Sequence, residues 1–355
     1  LTTVIAQLSA CLSDRLIHFQ TTEDWRDWKW QLKNSITDAS ELDFYDPVGE
    51  DEIQGMKLAE RRYKMSVTPY YLSLADWNNP LDPIRLQCLP DSREVLYSCE
   101  DSSEDPLNEE MHMPIEGLVH KFRDRALVLT TNRCAVYCRH CNRKRYWSQS
   151  NRTQTNAIKR LEAIADYISR HHEIREVIFS GGDPLMLSDN MIEMMLGLFK
   201  KISHIEVMRI GSRVPVTLPM RITDRLCRIL SRFRPLWFNT QFNHPAEITQ
   251  EAQEACERLQ CAGIPVSSQT VLLKGVNDNL ETMKILLQGL QRIMVRPYYL
   301  FQCEPVKGVD HFRTDIKTGI DIMDNIWGET AGLCIPHLVS DMPEGKKRLV
   351  GRACC

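Results

Sequence analysis

"ALVLTTNRCAVYCRHCNRKR", residues 126–145, joins a short apolar run to three closely spaced cysteines. The run ALVLTTN (126–132) has the length and composition of a buried strand. Cys134, Cys138 and Cys141 follow it directly, at offsets of four and three. A structural zinc takes four closed ligands, and disulfides take pairs, so three local thiols suit neither. Three thiolates with one open position suit a 4Fe-4S cluster in which one iron is left for a small molecule. The flanking Arg133, Arg139, Arg143, Lys144 and Arg145 read as an offset to the negative charge of thiolates and cluster. The competing readings are a zinc ion that borrows a distant fourth ligand, and coincidence in a chain with thirteen cysteines.

Downstream of this strand, β-rich runs alternate with helical ones. EVIFSGG (176–182), IEVMRIGS (205–212), LWFNTQF (236–242), IPVSSQTVLL (264–273) and VRPYYLFQ (295–302) read as strands. Helical patterns fall at 155–171, 188–202, 222–232, 247–262, 280–292 and 315–327, and IPHLVSDM (335–342) reads as a last strand. About six strand–helix units in series predict an α/β fold, a partial or full parallel (β/α) barrel. In such folds chemistry gathers at the C-terminal ends of the strands, which is where the cysteines stand. Upstream, TEDWRDWKWQLKNSI and DEIQGMKLAERRYKM read as helices. The acidic stretch 98–114 reads as an exposed loop. The expected organisation is an N-terminal helical extension over 1–115 and a barrel-like domain over 116–355.

With 355 residues, 43% apolar content and a net charge of -3, the chain reads as globular, with no electrostatic case for nucleic acid or anionic membrane. No apolar run approaches a membrane span. The scattered single cysteines read as small core residues in a reducing, cytoplasmic setting.

The motifs CRHCNRKR, SGGDPL, RIGSR, FNHPAEIT, LLKGVND, RPYYL, HFRT and TPYYLSL together resemble those of radical S-adenosylmethionine (SAM) enzymes. More narrowly they resemble lysine 2,3-aminomutase and its relatives, from about residue 27 to residue 347. The resemblance implies an isomerase that moves the α-amino group of a basic amino acid to the β-carbon, with L-lysine to β-lysine foremost. It implies Cys134, Cys138 and Cys141 as cluster ligands. It implies Gly181, Gly182, Asp183, Ser212, Arg213, Gln269 and His140 around SAM. The family's second cofactor is pyridoxal 5'-phosphate (PLP). The resemblance puts Lys121 and Arg125 near it and aligns Lys347, or in second place Lys346, with its Schiff-base lysine. Arg143 would pair with the substrate α-carboxylate, and Glu304 and Asp341 with a cationic side chain. Departures are Gln241 where the family has histidine, Phe122 where it has tyrosine, Asn279 where it has a zinc-ligand cysteine, and Glu304, one methylene longer than the family's aspartate. Arginine, ornithine or a lysine of elongation factor P are alternative substrates. A radical SAM enzyme without PLP, or an iron–sulfur binding protein, is the alternative class. A flavodoxin- or ferredoxin-type electron donor and a homo-oligomer are the further expected partners.

Overall fold

Side chains alternate along each strand, and that alternation makes two layers. On β3 (Glu176–Gly181), Val177 and Phe179 are buried, while Glu176, Ile178 and Ser180 face a central cavity. On β4 (Val207–Gly211), Met208 and Ile210 are buried, while Arg209 and Gly211 face the cavity. The buried face is covered by helices with a matching stripe. In α1 (Ala157–Arg170) the buried residues are Leu161, Ile164, Ala165 and Ile168, a spacing of three, four and seven along one face. The same spacing recurs in α4 (Gln250–Cys261) at Ala252, Ala255, Cys256 and Leu259, and in α5 (Leu280–Arg292) at Met283, Leu286, Leu287 and Leu290. Each such side chain contributes about 1.5–3 kcal/mol on full burial if large and apolar.

The computed structural model describes residues 22–42, 48–148, 157–344 and 347–349. Its nine strands form one sheet in sequential order. The others are β1 (Leu118–Phe122), β2 (Arg125–Thr131), β5 (Leu236–Thr240), β6 (Val266–Leu272), β7 (Arg296–Gln302), β8 (His337–Asp341) and β9 (Lys347–Leu349). Strands β2 to β8 are parallel. Antiparallel β1 and β9 close the two edges. Helices α2 (Asp189–Lys200), α3 (Asp224–Ser231) and α6 (Ile316–Ile326) complete a set of six, one after each strand from β2 to β7. The six expected strand–helix units are therefore present. The ends of the sheet approach each other, because Lys121 Nζ on β1 donates to Met342 O beyond β8 at 2.7 Å. Among the described residues β1 and β9 are not paired, so the barrel is partial.

Two local expectations need correction. The β1–β2 hairpin was not foreseen, because LVHKFRDRALVLTT carries charges at its turn and no paired glycine signal. The first predicted helix is two, Thr22–Arg26 and Trp28–Lys33, since Asp27 turns its carboxylate onto Lys29 N and starts the second. The residues before β1 pack into the same core as the strands, through Trp25, Ile36, Tyr70, Tyr71 and Ile84.

The tightest join between these segments is ionic. Glu94, Arg139 and Lys144 have fully buried side chains. Arg139 grips Glu94 through Nε at 2.8 Å and Nη2 at 2.5 Å, and Lys144 Nζ lies 2.6 Å from Oε2. Burial pulls the Lys144 pKa down to about 8, with Glu94 opposing. Removing the one carboxylate would strand two buried cations. Glu94→Ala is expected to cost about 3–5 kcal/mol in urea unfolding, whereas Arg170→Ala, which breaks an exposed pair with Asp166, should leave the midpoint unchanged.

Candidate active site

The C-terminal ends of the parallel strands surround one cavity of about 530 Å³. Cys134, Cys138, Cys141, His140, Gly181, Gly182, Asp183, Ser212, Arg213, Gln269, Lys121, Arg125, Arg143, Glu304 and Asp341 all line it. Lys346 and the side chain of Lys347 lie outside the described residues, while the Lys347 backbone pairs with Asp341 across β8 and β9.

The three cysteines are free. Burial pushes the Cys134 thiol well up and the Cys141 thiol to about 11; the Asp183 charge adds to the first, and repulsion from Cys138 as a thiolate adds to both. Among the described residues, no three His, Cys, Asp or Glu side chains gather at a point one metal ion could occupy. In a cubane cluster each cysteine binds a different iron, so the sulfurs need only face a shared space. All three cysteines line this cavity.

The glycine pair at the end of β3 sits against the cysteine loop. A Cβ on Gly181, whose φ is +124°, would stand 2.6 Å from Thr131 O, and one on Gly182 would stand 2.4 Å from Arg133 O. Glycine is required here because the loop backbone occupies the side-chain space. Gly182 N and Asp183 N then donate to Thr131 O and Arg133 O at 2.5 and 2.8 Å. Asp183 accepts from Ser212 Oγ at 2.8 Å, Arg213 N at 2.9 Å and Leu185 N at 3.0 Å. Burial pushes its pKa up to about 6, which those bonds offset in part. Asp183 thus ties the ends of β3 and β4 together.

Arg213 is a cation that touches one of the thiols. Its Nη1 lies 2.7 Å from Cys138 Sγ. Its Nη2 donates to Gln87 Oε1 and Glu247 Oε1, both at 2.6 Å, and lies 3.2 Å from Tyr71 Oη. Asn243 fixes the state of His140. Asn243 Oδ1 accepts from Val271 N at 3.0 Å, and Nδ2 donates to Gln87 Oε1 at 2.9 Å, which sets the amide's orientation. Nδ2 then donates to His140 Nε2 at 3.1 Å. The ring is neutral, held so by burial, and carries its proton on Nδ1. That buried Nδ1 has no partner among the described residues, so the wall offers an unsatisfied donor to an acceptor atom of a bound group. Gln241 Nε2 also meets His140 Nε2, at 3.2 Å.

The expectation that the loop's arginines and lysine offset thiolate charge holds in part: Arg143 and Lys144 favour the Cys141 thiolate, yet four of the five cations also pair with carboxylates. Arg139 and Lys144 turn to Glu94. Arg145 pairs with Asp105 and Glu109. Arg143 pairs with Glu109 at 2.6 Å. The acidic stretch 98–114 is accordingly no simple exposed loop: Glu109 is 4% exposed. Carboxylates and cations far apart in the chain neutralise each other here.

The far end of the cavity is acidic. Glu304 is half-buried, its carboxyl meets Asn142, its buried Oε2 has no hydrogen-bond partner among the described residues, and desolvation followed by the nearby Asp341 charge pushes its pKa up to about 7. Toward β1 and β2 the wall is cationic. Lys121 Nζ donates to Leu107 O and Met342 O, Arg125 stacks 3.9 Å over Phe122 and pairs with Asp124, and Arg209 pairs with Glu176.

Sequence reasoning missed Glu109, Gln87, Tyr71, Asn243, Glu247 and Arg209. Tyr71, Arg209, Asn243 and Glu247 lay inside matched motifs, but partners 160 residues apart, such as Gln87 and Glu247, leave no spacing to read. Asn279, by contrast, has a local reason: its side chain accepts from Thr282 N and starts α5.

The radical SAM superfamily pattern matches residues 128–286. The L-lysine 2,3-aminomutase of Acetoanaerobium sticklandii is 45% identical over 334 residues, covering 94% of this chain and 80% of that protein. The L-lysine 2,3-aminomutase of Clostridium subterminale is 44% identical, covering 91% and 77%. The glutamate 2,3-aminomutase of Clostridioides difficile is 41% identical, covering 92% and 76%.

Gly182→Ala should displace the cysteine loop and lower iron bound per chain after anaerobic reconstitution. Gly197→Ala on α2, where a Cβ meets nothing closer than 3.9 Å, should keep full iron and gain about 0.5–1 kcal/mol of stability.

Proposed function

This chain belongs to the lysine 2,3-aminomutase family of radical SAM enzymes, and from that membership we propose that it is a PLP-dependent 2,3-aminomutase acting on L-lysine. The observation that carries the substrate choice is the Glu304 carboxyl beside Asp341 on the cavity wall, which hydrogen-bonds Asn142 but keeps a buried Oε2 with no partner among the described residues. A buried carboxylate is stable only when a cation or donor meets it. An ammonium group does so, while the second carboxylate of glutamate would add a repulsion.

When bound, the iron–sulfur cluster with SAM supplies a hydrogen-abstracting radical, and PLP supplies the conjugated carbonyl that carries the migrating nitrogen. The chain's own residues hold and orient. Cys134, Cys138 and Cys141 are the cluster ligands, with Arg213 donating to one of their sulfurs. The unpaired Nδ1–H of His140 and the ends of β3 and β4 fit SAM. Lys121, Arg125 and Arg209 suit an anionic phosphate as cations, and Lys347 is the proposed Schiff-base residue. Arg143 receives the α-carboxylate, and Glu304 with Asp341 receives the side-chain ammonium. Substrate held at both ends keeps one C–H fixed, which is the protein's share of the rate.

Anaerobically reconstituted enzyme with SAM, PLP and reductant should convert L-lysine to β-lysine, read by amino-acid chromatography; β-glutamate from L-glutamate, with lysine untouched, would overturn the assignment. Glu304 is protonated below about pH 7 and ionised above it. Its attraction for a cation is therefore lost as pH falls through 7, with Asp341, Glu109 and Arg143 the charges around it. The KM for lysine should be several-fold higher at pH 6 than at pH 8, and Glu304→Gln should raise KM and flatten that dependence.

A further inference from the structure

Glu109 comes from the acidic stretch ahead of β1, yet it is buried and lines the cavity. Its carboxylate occupies one edge of the Arg143 guanidinium. Arg143 Nε lies 3.0 Å from each carboxylate oxygen, and Nη2 lies 2.6 Å from Oε1. Arg145 Nη2 holds Oε2 from the other side at 3.1 Å. Burial favours the neutral acid, but the two arginines overcome it and hold the Glu109 pKa below its ordinary value. The two side chains thus form an ion pair.

A guanidinium is a planar fork with two edges that take carboxylates. Glu109 takes the Nε edge. The Nη1–Nη2 edge is the one left for a second carboxylate, and Arg143 keeps 17% of its side chain exposed at the cavity wall. Rotating the side chain would break several charge-assisted bonds at once, so that free edge has a fixed direction. An unanchored arginine would lose more conformational freedom on binding.

We propose that Glu109 is a positioning residue, which locks Arg143 so that its outer edge meets the α-carboxylate of the amino-acid substrate. The proposal rests on the reading above, in which a basic amino acid is bound with its carboxylate on Arg143. Glu109 has a cost as well: its own charge repels that carboxylate. The geometry favours positioning, because the bonds to Arg143 and Arg145 spend the Glu109 charge on cations.

The test compares L-lysine with L-lysinamide, which keeps both amines and lacks the carboxylate, by calorimetric titration of the reconstituted holoenzyme. Wild type should prefer lysine. In Glu109→Gln the Kd for lysine should rise about 10-fold, with the Kd for lysinamide within about 2-fold of wild type. Glu109→Asp keeps the charge but retracts it by one methylene, and should show a smaller loss of the same kind. It carries the test if the glutamine variant binds less iron or melts early. An equal loss for both ligands would make Glu109 merely structural, and tighter lysine binding would make it a competitor; either overturns the proposal. A wild type that binds lysine but does not prefer it to lysinamide would overturn the carboxylate reading itself, and one that binds neither would overturn the substrate assignment.

Discussion

The contact between Arg213 Nη1 and Cys138 Sγ, 2.7 Å long, is the point from which the upper face of the molecule is arranged. An arginine buried beside a thiol needs its charge answered nearby. Glu247, fully buried, answers it. Glu247 also accepts from Tyr71 Oη at 2.7 Å, Gln87 Nε2 at 3.1 Å and Asn243 N at 2.5 Å. One carboxylate thereby gathers two segments of the N-terminal region, the end of β4 and the turn after β5 around one cysteine. Asn243, held by Gln87 in the same network, sets the protonation of His140. The thiol wall is therefore built by parts of the chain that contribute no thiol.

This explains why the N-terminal region packs as it does. Burying the Arg139–Glu94–Lys144 group and the Glu109–Arg143–Arg145 group costs desolvation that only good geometry repays. Both groups join the cysteine loop to residues 91–110. Their positive members sit within the loop, and their negative members sit outside it. The loop is held from behind by ion pairs and from below by the backbone of the glycine pair. Its sulfurs are left facing the cavity.

Period and spacing carried the framework. Strand–helix alternation gave the parallel sheet because each strand has one face for helices, as Val177 and Phe179 show, and each helix has one stripe for the sheet, as Leu161, Ile164, Ala165 and Ile168 show. The cysteine triplet was legible because its members are local. Charge pairing was not. Five cations around three cysteines looked like a counter-charge for metal, and nothing in the order of residues says that Glu94 and Glu109 reach four of them. The acidic stretch 98–114 misled for the same reason, since composition cannot tell a solvated carboxylate from one held in a buried pair.

In the function proposed above, the three thiols hold a cluster with one iron left open to SAM. Mössbauer spectroscopy of enzyme reconstituted with iron-57 tests it most directly. The account predicts that adding SAM moves the signal of about one iron in four and leaves the rest in place. A spectrum unchanged by SAM, or a chain that takes up a single zinc ion and no iron, would contradict it.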